Sequence, residues 1–300
     1  MLKTLIRPSM IFIPFILGMM FPAAHSLNFL LRWILIGMLY LVFLQLDPHQ
    51  LKPRKLHWQL LLANILMGVV PCALLFLFGA PQLALAAFFI GIAPTANAAP
   101  VIMNFLRGRA GFVVTSFVIT NLGVALALPL LLPLITGNSS FAFIWEIFKV
   151  LLLVIGLPIC AAAVTRRIYP KSKSWHGKCR NISFSAWSLM LFIIAAGASH
   201  FFRSNPDVPK LLVLEIAVLS LVICAINFTL GRIMGGLKYG REASQSLGQK
   251  NTSFIIFVAI TFANPLAALG PIFYVLWHNS WNAIQLYRCD RRRLRKMLKS

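Results

Sequence analysis

An all-α polytopic membrane fold of ten transmembrane helices is predicted for this 300-residue chain, and three observations carry the prediction. Hydrophobic residues make up 59% of the sequence and charged residues 11%, whereas roughly a quarter of a soluble domain is charged. Apolar stretches follow one another along the chain, each near the roughly 20 residues a helix needs to cross the hydrocarbon. The basic residues, 28 against 6 acidic for a net charge of +22, lie mostly in the gaps between these stretches. In a soluble protein that charge would suggest nucleic acid; between apolar segments it sets topology. One transmembrane domain over 1–300 is expected, with membrane lipid and not nucleic acid around it.

The first helix is predicted at Met10 to Ala24, after Lys3 and Arg7, and the second at Leu27 to Leu46. Retaining the first as a helix, and not as a cleaved secretory signal, preserves the charge alternation. Lys52, Arg54 and Lys55 precede the third, Gln59 to Gly79. The fourth, Gln82 to Leu106, leads through Arg107 and Arg109 to the fifth, Gly111 to Ile135. The sixth, Phe141 to Val164, is followed by Arg166, Arg167, Lys171, Lys173, Lys178 and Arg180, and the seventh runs from Asn181 to Phe201. Arg232, Lys238 and Arg241 separate the eighth, Lys210 to Met234, from the ninth, Glu242 to Ala263. The tenth, Pro265 to Leu286, ends in a basic tail over 287–300 that suits anionic lipid.

Every second connection is basic, and the others hold only Arg203 and Lys210. The positive-inside rule then puts both termini and the 166–180 connection in the cytoplasm, which requires an even number of spans in a plasma (inner) membrane. Five cysteines without a C-x-x-C pair indicate neither a disulfide framework nor a zinc site.

Two segments carry too many breakers and polar groups for plain lipid-facing spans. The fourth contains Pro94, Thr95, Asn97 and Pro100; the ninth contains Ser244, Gln245, Ser246, Gly248, Gln249, Lys250, Asn251 and Thr252. Backbone freed at such places must find partners in protein or line a wet cavity. The breaks occupy matched positions, fourth of helices 1–5 (about 10–135) and ninth of helices 6–10 (about 141–286). An odd number of spans per half makes the halves antiparallel, the plan of two inverted five-helix repeats seen in many secondary transporters. Half-helix N-termini near Pro100 and Thr252 would offer positive dipole ends to an anion.

Three motifs carry a resemblance. Pro94 to Gly108 is similar to the proline, small-residue stretch and Arg-Gly turn of the bile acid:sodium symporter family, and Gly248 to Asn251 to its glycine, two variable positions and asparagine. Trp277, His278 and Asn279 resemble its Trp-His-Asn, and Pro71 in the third helix also fits. The resemblance implies a panel domain, a core domain with crossed broken helices, and sodium-coupled uptake of organic anions. It also implies sodium ligands that this chain lacks. The family's Ser-Asn pair falls on Ala99 and Pro100, its fifth-helix hydroxyls on Val113 and Phe117, its glutamate on Ser246 and its glutamine on Lys250. A hard cation needs several oxygen ligands, so both inherited sodium sites are expected to be lost unless Thr115, Ser116 or Thr120 substitutes. No cofactor is expected.

Lys250 is the leading candidate for substrate or coupling, because an intramembrane charge is costly and usually functional. Its ammonium could fill the volume of the missing sodium, hold a substrate carboxylate, or exchange its proton during the cycle; the plainer alternative is that it snorkels to the cytoplasmic face. Asn251, Gln249, Ser246, Thr252, Asn97 and Thr95 are candidate substrate contacts or caps of the breaks. Asn121, His278 and Asn279 rank lower, as interhelical bonds or packing. Glu146 and Lys149 are spaced to pair on one helix face. With six acidic residues and no acid–base constellation, an enzyme is not expected. The reading is a secondary transporter of a small organic anion, sodium-independent, with Lys250 replacing the ion. Its alternatives are a sodium-coupled symporter with a rearranged site and a membrane sensor that moves nothing.

Overall fold

The computed structural model describes residues 13–46 and 51–297, and throughout them the backbone is helical or connects helices. Lys3, Arg7, the first residues of the predicted first helix and the last three residues of the tail lie outside the described residues. A helix α1 covers 13–20 and gives way to a 3-10 helix at Pro22–Phe29, which leads into α2 (Leu30–Gln45). The predicted first helix therefore ends before Ala24: Pro22 has no N–H to continue an α-helical ladder. α3 (Lys55–Leu77) follows the second connection.

The fourth segment breaks as expected. α4 (Pro81–Ile92) stops at Ala93, which takes an extended conformation (φ −50°, ψ 126°) because Pro94 follows it. The chain resumes as α5 (Ala99–Phe105), where Pro100 sits in the first turn and a missing N–H costs nothing. α6 (Ala110–Thr136) comes next. The predicted sixth helix is α7 (Phe141–Leu151), a π-helical stretch Leu152–Gly156 and α8 (Leu157–Ile168). Pro158 cannot donate to the ladder, and a π-bulge is one way a helix absorbs such a defect.

α9 (Trp175–Ser204) starts before the predicted Asn181. α10 (Lys210–Gly248) contains the predicted connection between the eighth and ninth segments as a kink, non-helical at Gly236 (φ 55°, ψ −150°) and Tyr239. Only glycine adopts the Gly236 conformation without strain. The ninth segment breaks at 249–251 and continues as α11 (Thr252–Phe262). α12 (Pro265–Met297) extends well past the predicted end at Leu286, so most of the basic tail is helix, in keeping with its arginine, leucine and lysine content.

Among the described residues six helices are long and apolar enough to cross a membrane: Pro22–Gln45, Lys55–Leu77, Ala110–Thr136, Phe141–Ile168, Ile182–Ser204 and Lys210–Gly248. Large apolar side chains face outward, as with Leu126, Leu130 and Leu134 along one stripe of α6. An apolar exterior of this kind fits a bilayer and not water.

The chain divides into two compact units. The first comprises Met1–Pro48, Ala125–Leu212 and Ile256–Ala268. Within it α2 packs on α8 and α9, the 3-10 helix packs on α9, and Ser199 Oγ donates to Met19 O at 2.8 Å. Tyr40 OH donates to Thr165 Oγ1 at 3.1 Å, and the Arg166 guanidinium donates to the Leu46 carbonyl. Glu146 and Lys149 form the expected pair at 2.6 Å, both half exposed, a contact worth little to stability.

The second unit comprises His49–Val124, Val213–Ile255 and Leu269–Ser300, and it holds both breaks. α3 and α4 pack at backbone distance in it. A Cβ on Gly91 would collide with backbone atoms of Met67 and Gly68, and one on Gly68 would stand 2.9 Å from Ile92 N. Two apolar clusters flank the breaks. One includes Leu60, Ala99, Met103, Val113 and Leu247, the other Ile90, Ile223, Cys224, Phe228 and Tyr274.

Candidate functional site

The two broken segments pair with one another. Ala96 N donates to Gln249 O and Asn251 N donates to Pro94 O, each at 2.7 Å, so that Thr95 and Lys250 form an antiparallel bridge. Backbone groups released by Pro94 and Gly248 are thus satisfied by each other, as a buried break requires.

Polar side chains lock the crossing. Thr95 Oγ1 donates to Ser246 O at 2.6 Å and accepts from Thr120 Oγ1 at 2.9 Å. Thr95 N also donates to Thr120 Oγ1 at 3.1 Å. Asn121 Nδ2 donates to Thr95 O at 2.9 Å and to Phe117 O at 2.8 Å, and its Oδ1 accepts from Asn251 Nδ2 at 3.3 Å. Asn251 Oδ1 accepts from Phe254 N at 3.3 Å, which caps α11. Asn121 is therefore the joint between the breaks and α6. Replacing it by leucine strands the Thr95 carbonyl and the Asn251 amide, and each buried group without a partner costs about 1–3 kcal/mol. The expected result is a clear drop in the melting temperature of the purified protein; an unchanged melt would remove Asn121 from this role.

Lys250 does not snorkel. It is 1% exposed, and its ammonium donates to Gly91 O at 2.8 Å and to Asn64 Oδ1. The Asn64 amide is oriented by its other end, where Nδ2 donates to Ile92 O at 2.8 Å. Gly91 and Ile92 are the last residues of α4, whose terminal carbonyls have no intrahelical partners and carry the negative end of the helix dipole. The cation is thus held by the C-terminal end of a half-helix and by an asparagine of α3. Two of its three N–H groups are occupied by the protein.

Gln249 and Ser246 have different surroundings. Gln249 Oε1 accepts from Asn282 Nδ2, and Gln245 Nε2 donates to Asn282 Oδ1 and Gln285 Oε1, both at 3.1 Å. This buried amide chain ties the end of α10 to α12. Tyr274 OH donates to Gly248 O at 2.8 Å and accepts from Asn227 Nδ2 at 3.2 Å, so it fixes the last carbonyl before the break. The Ser246 hydroxyl is buried without a partner, as is that of Ser116.

The geometry thus brings Thr95, Ser246, Gln249, Lys250, Asn251 and Asn121 together around one crossing. Thr252 starts α11 beside it, its N–H donating to Lys250 O at 2.9 Å. Asn97 is only partly buried and does not enter the bonds around Asn251. His278 lies edge-on against Tyr274 at 5.5 Å, its Nδ1 buried without a partner, and Asn279 Nδ2 bonds Val275 O in its own helix, so neither enters the bonds of the crossing. Sequence reading missed Asn64, Asn282 and Tyr274, and it noted Gln245 only as part of the break. Only the polarity of amides within apolar stretches could have signalled Asn64 and Asn282.

Of the positions matching the family's sodium ligands, Ala99, Val113 and Phe117 offer no side-chain oxygen and are buried. Ala99 and Val113 are fully buried in one apolar cluster with Leu60, Met103 and Leu247, and Phe117 is 1% exposed. Among the described residues no group of histidine, cysteine, aspartate or glutamate is arranged to hold a metal ion.

All-helical, apolar on its outside and crossed internally by two polar broken segments, the chain has the character of a multi-pass membrane transport protein. The family model described as Sodium Bile acid symporter family matches residues 34–204, more than half of the chain. The chain belongs to the sodium bile acid symporter family. No curated protein matches it. The matched region takes in α4, its break and α6, and ends before Lys250.

Proposed function

We propose that the protein is a secondary transporter of a small organic anion that works by alternating access without sodium, the Lys250 ammonium taking the place of a coupling cation. The carrying observation is the buried ammonium on Gly91 O and Asn64 Oδ1 where two broken helices cross. An ion bound at a half-helix carbonyl end and an amide oxygen would meet the same ligands. Lys250 supplies that charge covalently. The apolar packing of Ala99 and Val113 supports the loss of the other site.

The same reading has ten spans in two inverted sets of five, with both termini in the cytoplasm of an inner membrane. α4 has 12 residues and α11 has 11, each under about 20 Å at 1.5 Å per residue. Neither spans alone, which is why a length criterion passes over them; α4 with α5, and the end of α10 with α11, make the broken spans. The second compact unit, which holds both breaks, is read as the core domain and the first as the panel. For the topology, a cysteine placed at the exposed Tyr169 should react with an impermeant thiol reagent only in inverted vesicles. Reaction from outside intact cells would reverse the orientation.

One observation favours the rearranged sodium site: Ser116 and Ser246 each keep a buried hydroxyl free. A non-transporting sensor differs from both readings in flux. Proteoliposomes loaded with a panel of carboxylates and sulfates should exchange at least one labelled member with the outside. A ligand that binds the purified protein and is never moved would make it a sensor.

A further inference from the structure

Three of the basic connections meet at one aromatic ring in the second unit. Arg54 precedes α3, Arg109 precedes α6, and Lys238 lies in the kink of α10; their charged groups stand 5.4, 5.0 and 5.6 Å from the centroid of Tyr239. Buried groups hold this arrangement from beneath. His57, fully buried, accepts from Arg54 N at Nδ1 (2.9 Å), so its Nε2 carries the proton and donates to Phe112 O at 3.1 Å. The Phe112 ring in turn stacks on Tyr239 at 4.9 Å. Glu242, 7% exposed, accepts from Arg109 N at 2.9 Å, and the Arg109 guanidinium donates to Lys238 O at 3.3 Å.

None of the three charged groups stands within ion-pair distance of a carboxylate, the one ion pair among the described residues being Lys149–Glu146, and the single carboxylate of Glu242 on Arg109 N leaves three cations against one anion at this corner. Like charges gathered this closely repel, and a ring's quadrupole offsets only part of that. The corner is prepared for an anion. Its flank indicates which kind. Leu237, next to Gly236 at the kink, is fully exposed, and Ile233 one turn earlier is mostly exposed. A soluble phosphate makes no use of these side chains; an amphiphile uses both the cations and the apolar edge.

We propose that this corner binds the headgroup phosphate of an anionic phospholipid, with an acyl chain along Leu237 and Ile233. The guanidinium forks of Arg54 and Arg109 match phosphate oxygens, Lys238 adds a point charge, and Tyr239 has the amphipathic ring favoured at the membrane interface. The site requires only that the chain sits in a membrane and stands apart from the transport reading.

Native mass spectrometry of the full chain in neutral detergent, titrated with phosphatidylglycerol or with phosphatidylcholine of the same acyl chains, tests it. Phosphatidylglycerol should be retained about tenfold better, and the double variant Arg109→Gln, Lys238→Gln should lose that preference. Leu237→Asn, altering a fully exposed side chain, should keep the fold and reduce retention severalfold. Wild-type retention of both lipids alike, or equal preference in the double variant, overturns the site. Should the double variant fail to elute as a folded species, unchanged retention in Leu237→Asn overturns it alone. Glycerol phosphate or inorganic phosphate raising the melting temperature as much as phosphatidylglycerol would assign a soluble anion and overturn the lipid.

Discussion

Lys250→Gln should abolish or uncouple uptake while leaving a folded protein that elutes as wild type does. The side chain is buried and bonded to Gly91 O and Asn64 Oδ1. Burying a charge is costly, and neutral replacements at such places often relieve as much desolvation as they lose in pairing. The shorter amide keeps a donor for one of the two oxygens, so stability should change by no more than about 1–3 kcal/mol. Transport should change far more, because the positive charge at the end of α4 disappears. Lys250→Ala leaves room for a small cation, and millimolar methylammonium should restore part of its flux. Wild-type uptake in either variant without added amine would show that the charge plays no part in the cycle. The lysine's role within the cycle is separable: a proton carrier's loss removes the response to a pH gradient and spares exchange, whereas loss of a substrate clamp weakens affinity and spares the pH response.

Gly91→Val should prevent the protein from accumulating in folded form. The new Cβ would lie well inside contact distance of the Met67 carbonyl and Gly68 N, which are backbone atoms of α3 and cannot turn aside as a side chain can. Overpacking against flexible neighbours costs about 1–3 kcal/mol, and a clash with backbone exceeds that. Separating α3 from α4 would also pull Asn64 from Ile92 O and Lys250 from Gly91 O. Gly37→Val, at a glycine whose added Cβ would meet nothing within 4 Å, is the control and should accumulate normally. Equal accumulation of the two variants would show that the close approach of α3 and α4 is dispensable.

The breaks were legible because proline, glycine and polar residues interrupt otherwise apolar stretches, and Ala93 and Gln249 leave the helix where those residues predict. Lys250 was legible as a lone charge between Glu242 and Arg288. Its partners were not: nothing in the sequence near Asn64 or Gly91 points to a lysine about 160 to 190 positions later, and the pairing exists only after α3 packs on α4. The sequence pointed to the half-helix N-termini near Pro100 and Thr252 and gave no sign of the opposite end of the dipole. Lys250 meets the C-terminus of α4, while Asn251 caps the start of α11. His278 and Asn279, ranked low from the sequence, stay apart from the crossing: one lies against Tyr274 and the other bonds within its own helix. The π-helical stretch at Leu152–Gly156 and the helical extension of α12 depend on tolerances that residue patterns express weakly.

Sodium dependence of uptake tests the central claim most directly. Wild-type protein in proteoliposomes, supplied with a transported organic anion under equal ionic strength, should give the same initial rate in sodium, lithium, potassium or choline chloride. The buried Lys250 ammonium already holds the α4 carbonyl and Asn64, and Ala99, Val113 and Phe117 offer no side-chain oxygen. Uptake that requires sodium, with lithium and potassium ineffective, would contradict this account and show that other oxygens, with Ser116 and Ser246 the first to examine, bind the ion.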